Sequence, residues 1–169
     1  MDLARAESLA QKDPERAQDV LREAREQLGE PLDELRRLSR GIAPPVLVDR
    51  GLPAALTELA AISPLPVTVE APALDLPEHV EIGIYYVVSE ALTNAAKHSG
   101  AESATVEVTR IGEDVRVRIE DDGRGGAAMR TGGGLAGLAG RVASLEGHLD
   151  VRSPAGSGTR VEAVIPCAS

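Results

Sequence analysis

The sequence predicts an α+β fold: a mixed sheet covered by helices on one face and preceded by a helical hairpin. Three observations carry this expectation. Residues 1–40 of the 169 are charged, rich in Ala, Leu, Glu and Arg, and helical in period. Residues 79–98 repeat apolar side chains at helical spacing. Beyond residue 104, apolar and polar residues alternate in short runs separated by glycines. Helices first, then strands mixed with helices, pack most economically as a helical layer on a sheet.

The elements follow in order. Leu3 to Ala10 reads as the end of one helix, and Asp13-Pro14-Glu15 starts the next, with an N-cap carboxylate and proline at the first helical position. Leu21, Leu28 and Leu35 recur every seven residues, with Leu32 and Leu38 beside them, a stripe that packs on another helix or lies against its own domain. Pro31 kinks or divides this helix. Gly41 to Pro45 ends it, Pro44-Pro45 forming a stiff extended connector, so the expected division is a helical module over 1–45 and a second domain over 46–169. A short amphipathic helix then carries Leu52, Leu56, Leu59 and Ile62 on one face, and Val67–Glu70 reads as a strand. The helix over 79–98 turns Val80, Ile84, Val87, Val88, Ala91, Leu92 and Ala95 inward and Glu90, Asn94, Lys97 and His98 outward. An antiparallel pair follows, with Val106 and Val108 on one strand, Val115, Val117 and Ile119 on the other, and Ile111-Gly112-Glu113 turning between them. A helix near Gly134 carries Leu135, Leu138, Val142 and Leu145. The last two strands, Leu149–Val151 and Val161–Ile165, flank a loop at Gly156–Gly158.

Composition narrows the function. A net charge of −9 argues against a nucleic-acid surface, which needs a basic footprint. With no Trp or Phe, and only Tyr85 and Tyr86 as aromatics, base stacking has no platform either. No apolar run approaches the roughly 18–20 residues of a membrane span, and the N-terminus lacks a signal-peptide core. Cys167 stands alone, so a disulfide framework and a thiolate metal site are both excluded, and a cytoplasmic setting follows.

Three polar clusters carry the chemistry. Glu90 and Asn94 lie one helical turn apart, with Lys97 and His98 a turn later. The Asn94 amide oxygen suits a Mg²⁺ ion already bridging phosphates, Glu90 suits a base or a water ligand, and Lys97 suits a phosphate. The alternative is a solvated polar face. Asp121 ends an alternating strand and starts Asp121-Asp122-Gly123-Arg124-Gly125. Its carboxylate accepts a hydrogen bond from adenine N6 and not from guanine O6, a charged bond of about 1.5–3 kcal/mol. The alternative is a plain Asp-Gly turn. Gly132, Gly134 and Gly137 spell a dinucleotide-like pattern, but no strand leads directly into it, so the Rossmann reading fails. A helix beginning near Gly134 still offers free N–H groups to phosphates. Lys12 and Lys97 are the only lysines and neither follows a glycine, which excludes a Walker loop. His79 and His148 read as surface or cap residues. Together the clusters describe a pocket for ATP.

These residues resemble a known family. Glu90-x3-Asn94-x2-Lys97-His98 is similar to the N box of sensor histidine kinases, Asp121-Asp-Gly-Arg-Gly125 to their G1 box, Gly132–Gly137 to G2 and Gly156-Ser-Gly-Thr159 to G3. The implied fold is the Bergerat-type ATP-binding α/β sandwich. Glu34-Leu-Arg36-Arg37, Pro44-Pro45-Val-Leu47 and Gly51-Leu52, with the short loop from Gly126 to Thr131, resemble the kinases that pair with NarL-type response regulators. The resemblance implies ATP and Mg²⁺ as cofactors, with Asn94 holding the metal and Glu90 acting as base or orienting the phosphoacceptor. Asp121 would read adenine, Gly123 and Gly125 would shape the pocket, and Gly134 and Gly137 would hinge a lid. Thr159 would line the adenine side, and Lys97, His98, Gly132 and Leu135 complete the ATP-binding set. A homodimer through the helices and a response regulator are the implied partners. Asp122 stands where the family more often has Asn. The phosphorylated histidine of the family has no counterpart in residues 1–12, so it is expected upstream. An anti-sigma-factor-type serine kinase or a stand-alone ATPase of the same fold is the alternative reading, and a module that binds no nucleotide is a third.

Overall fold

A computed structural model describes residues 43–129 and 133–167. The helical hairpin expected over 1–40 lies outside these residues, as does Gly132. The described residues belong to one compact unit.

The first described helix, α1 (Pro45–Ile62), begins at the second proline. Pro44 keeps the extended conformation expected of it, but Pro45 occupies the first helical turn, where its missing N–H costs nothing. Gly51, at φ 76°, breaks the helix into two pieces and lets both Leu47 and Leu52 reach the core. Leu56 is fully buried and Leu59 packs at the core margin, whereas Ile62 is 73% exposed, against the amphipathic expectation. Strand β1 (Val67–Glu70) follows, and α2 (Glu78–Asn94) buries Val80, Ile84, Val87, Val88, Ala91 and Leu92. The helix expected to run to His98 instead changes pitch at Ala95, and residues Ala95–Ser99 form a π turn ended by Gly100 in the left-handed region. Strands β2 (Ala104–Ile111) and β3 (Asp114–Asp121) pair antiparallel across a tight turn in which Gly112 takes φ 63°. Helix α3 (Gly134–Ser144) and strands β4 (His148–Arg152) and β5 (Thr159–Pro166) complete the unit.

The sheet has the order β1-β2-β3-β5-β4, with β1 parallel to β2 and the other neighbours antiparallel. It is the mixed sheet the sequence predicts. Register explains its two faces. Val106, Ile119 and Val161 stand in one row, and Val108, Val117 and Ala163 in the next, all buried toward the helices. On the opposite face Glu107, Arg118 and Glu162 share a row, with Arg118 Nε 2.8 Å from Glu162 Oε2 and Arg118 Nη1 3.5 Å from Glu107 Oε2. Burying one valine is worth roughly 1.5–3 kcal/mol, while a partly exposed ion pair contributes about 0–1 kcal/mol. The aliphatic rows therefore fix the layer, and the charged rows keep the open face wet.

Helices α2 and α3 meet at Tyr86, which pairs with Tyr85 within α2 and with Arg141 of α3. Tyr85 and Tyr86 meet edge to face at 5.4 Å, and the Arg141 guanidinium lies 4.9 Å above the Tyr86 ring. Gly83 of α2 accepts Leu145 against its bare backbone, which lets the two helices approach closely.

Candidate functional site

The last row of the sheet defines one wall of a cleft. Asp121 ends β3 directly opposite Thr159, the first residue of β5. The Gly123 N–H donates to Asp121 Oδ1 at 2.9 Å, which fixes the carboxylate at the cleft wall. Thr159 Oγ1 lies 2.9 Å from Ser153 Oγ. The cleft, about 500 Å³, runs from this wall to the end of α2 and the start of α3. Asn94, His98, Asp121, Gly125, Gly134, Leu135 and Thr159 line it, together with Ile119 and Val161 on its floor. That is a ligand-sized concavity with an apolar floor and a few polar groups at its ends.

The opposite end is built by α2 and α3. A Cβ on Gly134 would stand 2.9 Å from Glu90 Oε1 and 3.0–3.1 Å from the Asn94 amide atoms. The first residue of α3 thus rests directly on the Glu90–Asn94 face. No side chain caps this helix and its first turn carries no acid, but the Glu90 carboxylate of α2 stands against its first residue. The Asn94 Nδ2 is buried with no hydrogen-bond partner, a condition that costs about 1–3 kcal/mol unless a ligand satisfies it. Among the described residues no three His, Cys, Asp or Glu side chains cluster to hold a metal. The donor set fits Mg²⁺ in one specific way: a neutral amide oxygen on an ion whose remaining ligands are phosphate oxygens and waters.

The glycine clusters divide into two kinds. Gly123 has no room for a side chain, because a Cβ there would lie 2.6 Å from Ser99 Cβ and Ser99 O. Gly125, at φ 62°, passes against the Pro154 carbonyl. The Gly156–Gly158 loop is tied to this segment by Gly156 N to Arg124 O at 2.6 Å and Gly158 N to Gly123 O at 2.8 Å. Its N–H groups at Gly156 and Gly158 are therefore used internally and not offered to phosphate. Gly137, by contrast, is exposed on α3 with nothing within 4 Å of where a Cβ would stand, and it does not line the cleft. Lys97 is exposed on the π turn and also lies off the cleft wall. His79 and His148 are exposed, as expected.

Two features escaped the sequence reading. Asp122 is more than a turn residue. Its Oδ1 accepts N–H bonds from Glu102 at 2.8 Å and Ser103 at 3.0 Å, and its Oδ2 accepts the Ser103 hydroxyl at 2.8 Å. These bonds, the Ser103 N–H first, hold its carboxyl below the ordinary carboxylate value. Ser99, the buried polar residue among those described, lines the cleft and touches Gly123. Neither has a local signal: both act through partners about 20 residues away.

Residues 79–169 match the family described as histidine kinase-, DNA gyrase B-, and HSP90-like ATPase. The chain belongs to this family. It is therefore an ATP-binding domain. The chain is 28% identical over 161 residues to the sensor histidine kinase ComP of Bacillus subtilis, covering 88% of this chain and 21% of that protein. It is 31% identical over 153 residues to the sensor histidine kinase MctS of Rhizobium johnstonii, covering 83% of this chain and 33% of that one. In structure it is similar to the Erythrobacter litoralis EL346 blue-light activated histidine kinase, with a TM-score of 0.58, 27% identity and coverage of 67% of this chain and 39% of the other. The chain thus spans about a fifth to a third of these curated relatives. No helix among the described residues is long and apolar enough to cross a membrane.

Proposed function

We propose that this chain is the catalytic part of a two-component sensor histidine kinase, presenting Mg-ATP for phosphorylation of a histidine and onward transfer to a NarL-type response regulator. The observation that carries this reading is the convergence of Asn94, Glu90 and the uncapped start of α3 at one end of the cleft, with Asp121 at the other. Asp121 Oδ2 takes the adenine amino group. Thr159 and Gly125 shape that end, with Gly123 behind Asp121, while Leu135 covers the opening. The N–H groups from Gly134 onward meet phosphate, with His98 beside them. Mg²⁺, when bound, neutralises phosphate charge, and Asn94 is the residue that holds it. Glu90 accepts a proton from, or orients, the acceptor imidazole. Lys97 meets phosphate from the rim, Gly134 and Gly137 hinge a lid over the nucleotide, and Gly132 completes the ATP-binding set.

Residues 1–45 form the dimerisation helices and linker, and 46–169 the ATP-binding domain. The leucine stripe at Leu21, Leu28 and Leu35 supports a homodimer, and the Pro44-Pro45-Val-Leu47 linker supports the NarL-type pairing. Because ATP is supplied in the cytoplasm, the setting proposed for this part of the protein is cytoplasmic. The test is Mg-dependent: Asn94→Ala should weaken nucleotide binding more in Mg²⁺ than in EDTA. Equal losses in both conditions would remove the metal role. Phosphate transfer from [γ-³²P]ATP to a histidine-bearing dimerisation helix supplied in trans tests the reaction itself, and transfer to serine would overturn it.

A further inference from the structure

Ser99 sits at the one point where the two ends of the cleft are joined. It closes the π turn that begins one residue after Asn94, its hydroxyl donating to Ala95 O at 2.7 Å and accepting the Ala101 N–H at 3.0 Å. Its carbonyl accepts the Arg124 N–H at 2.8 Å, and its side chain fills the space that glycine leaves at 123. Gly123, so seated, donates its N–H to Asp121 Oδ1 at 2.9 Å and accepts the Gly158 N–H at 2.8 Å. The path from Asn94 to Asp121 thus runs through Ser99, whose hydroxyl ties the π turn and whose carbonyl and side chain meet Arg124 and the bare backbone of Gly123. A π turn inserts a residue's worth of extra backbone into a helix and is common at functional sites. Here Ser99 supplies the hydrogen bonds that make the changed pitch hold. Asp122 braces the same junction from outside by clasping Glu102 and Ser103.

We infer that Ser99 is a positioning residue for nucleotide binding: by locking the π turn to Gly123 it sets the Asp121 carboxylate relative to Asn94. Ser99 itself need not touch ATP. The inference rests on the proposed ATP site and deepens it, because it assigns base discrimination partly to a residue outside the adenine-reading pair. A residue that only stabilises the fold lowers Tm and leaves the affinity of the folded protein alone. A positioning residue changes the affinity and, acting through Asp121, changes the ATP-to-GTP ratio.

The experiment is a double-mutant cycle of Ser99→Ala with Asp121→Asn, reading Mg-ATP and Mg-GTP binding at a temperature where each variant is folded by circular dichroism. Ser99→Ala should weaken Mg-ATP binding by about tenfold, the loss of one well-aligned hydrogen bond's constraint, and shrink the ATP-to-GTP ratio. In the Asp121→Asn background the same substitution should cost much less, because the two act through one contact. If Ser99→Ala does not fold, Ser99→Cys, a weaker donor of similar shape, is measured in its place with the same expectations. Additive losses, an unchanged ATP-to-GTP ratio, or failure of both variants to fold would overturn the inference and leave Ser99 a structural residue. Absence of Mg-ATP binding by the wild type would instead overturn the ATP-site reading itself, so the two failures are told apart.

Discussion

Replacing Gly134 by alanine separates folding from ligand binding. The backbone at 134 is helical and does not require glycine: its φ lies outside the left-handed range. On propensity alone alanine is favoured, by up to about 1 kcal/mol in a helix interior and less at this first position. The cost lies elsewhere. The new methyl would stand 2.9 Å from Glu90 Oε1 and 3.0–3.1 Å from both amide atoms of Asn94, short of ordinary contact by about half an ångström. Glu90 is half-buried and can swing aside. The Asn94 Nδ2 is buried and cannot. Forcing Asn94 off its rotamer costs about 0.5–1.5 kcal/mol, which corresponds to a loss of roughly two- to tenfold in affinity for any ligand that needs that rotamer. The expectation is an unchanged or slightly lower Tm without nucleotide, with Mg-ATP binding weakened several-fold by isothermal titration. A variant that matches wild type in both Tm and Mg-ATP affinity would refute the contact between α3 and the Asn94 face.

Other expectations follow from the same geometry. Gly140→Ala, in open space on α3, should raise stability by about 0.5–1 kcal/mol in urea denaturation and leave ATP affinity alone. Gly123→Ala should cost about 1–3 kcal/mol in the same assay, since its methyl meets Ser99 with no free volume. The Asp122 carboxyl is lower in the folded chain than in the unfolded one, so its contribution is complete above about pH 3.9 and is lost as pH falls through the folded value. Asp122→Ala should therefore lie below wild type in Tm at neutral pH, with the gap closing below about pH 3.9. A gap that stays constant down to pH 3 would count against the clasp.

What the sequence could and could not reveal follows from the range of each interaction. Strands β2 and β3 were legible because alternation is local: Val106, Val108, Val115, Val117 and Ile119 each report their own face. The same alternation put Asp121 at a strand end, where it is found. Helix α3 was legible from Leu138 and Val142, both buried at helical spacing. The π turn was not, because Ala95 to Ser99 fits an α-helix equally well by composition; its pitch is set by Ser99 bonding and by the contact with Gly123. Ile62 fits the amphipathic period of α1 but lies in its last turn, past the stretch of helix that buries Leu52 and Leu56, and stays exposed. By spacing alone, the Gly156–Gly158 loop read only as a connection between the last two strands. It is bound to Arg124 and Gly123 by bonds that span more than 30 residues, which no local pattern encodes.

The account turns on Asp121 reading adenine. Titrating Mg-ATP and Mg-GTP into the wild-type chain and into Asp121→Asn tests this most directly. The wild type should bind Mg-ATP and discriminate against Mg-GTP, and Asp121→Asn should lose roughly ten- to a hundredfold of the ATP affinity. Equal ATP affinities for the two proteins would contradict it.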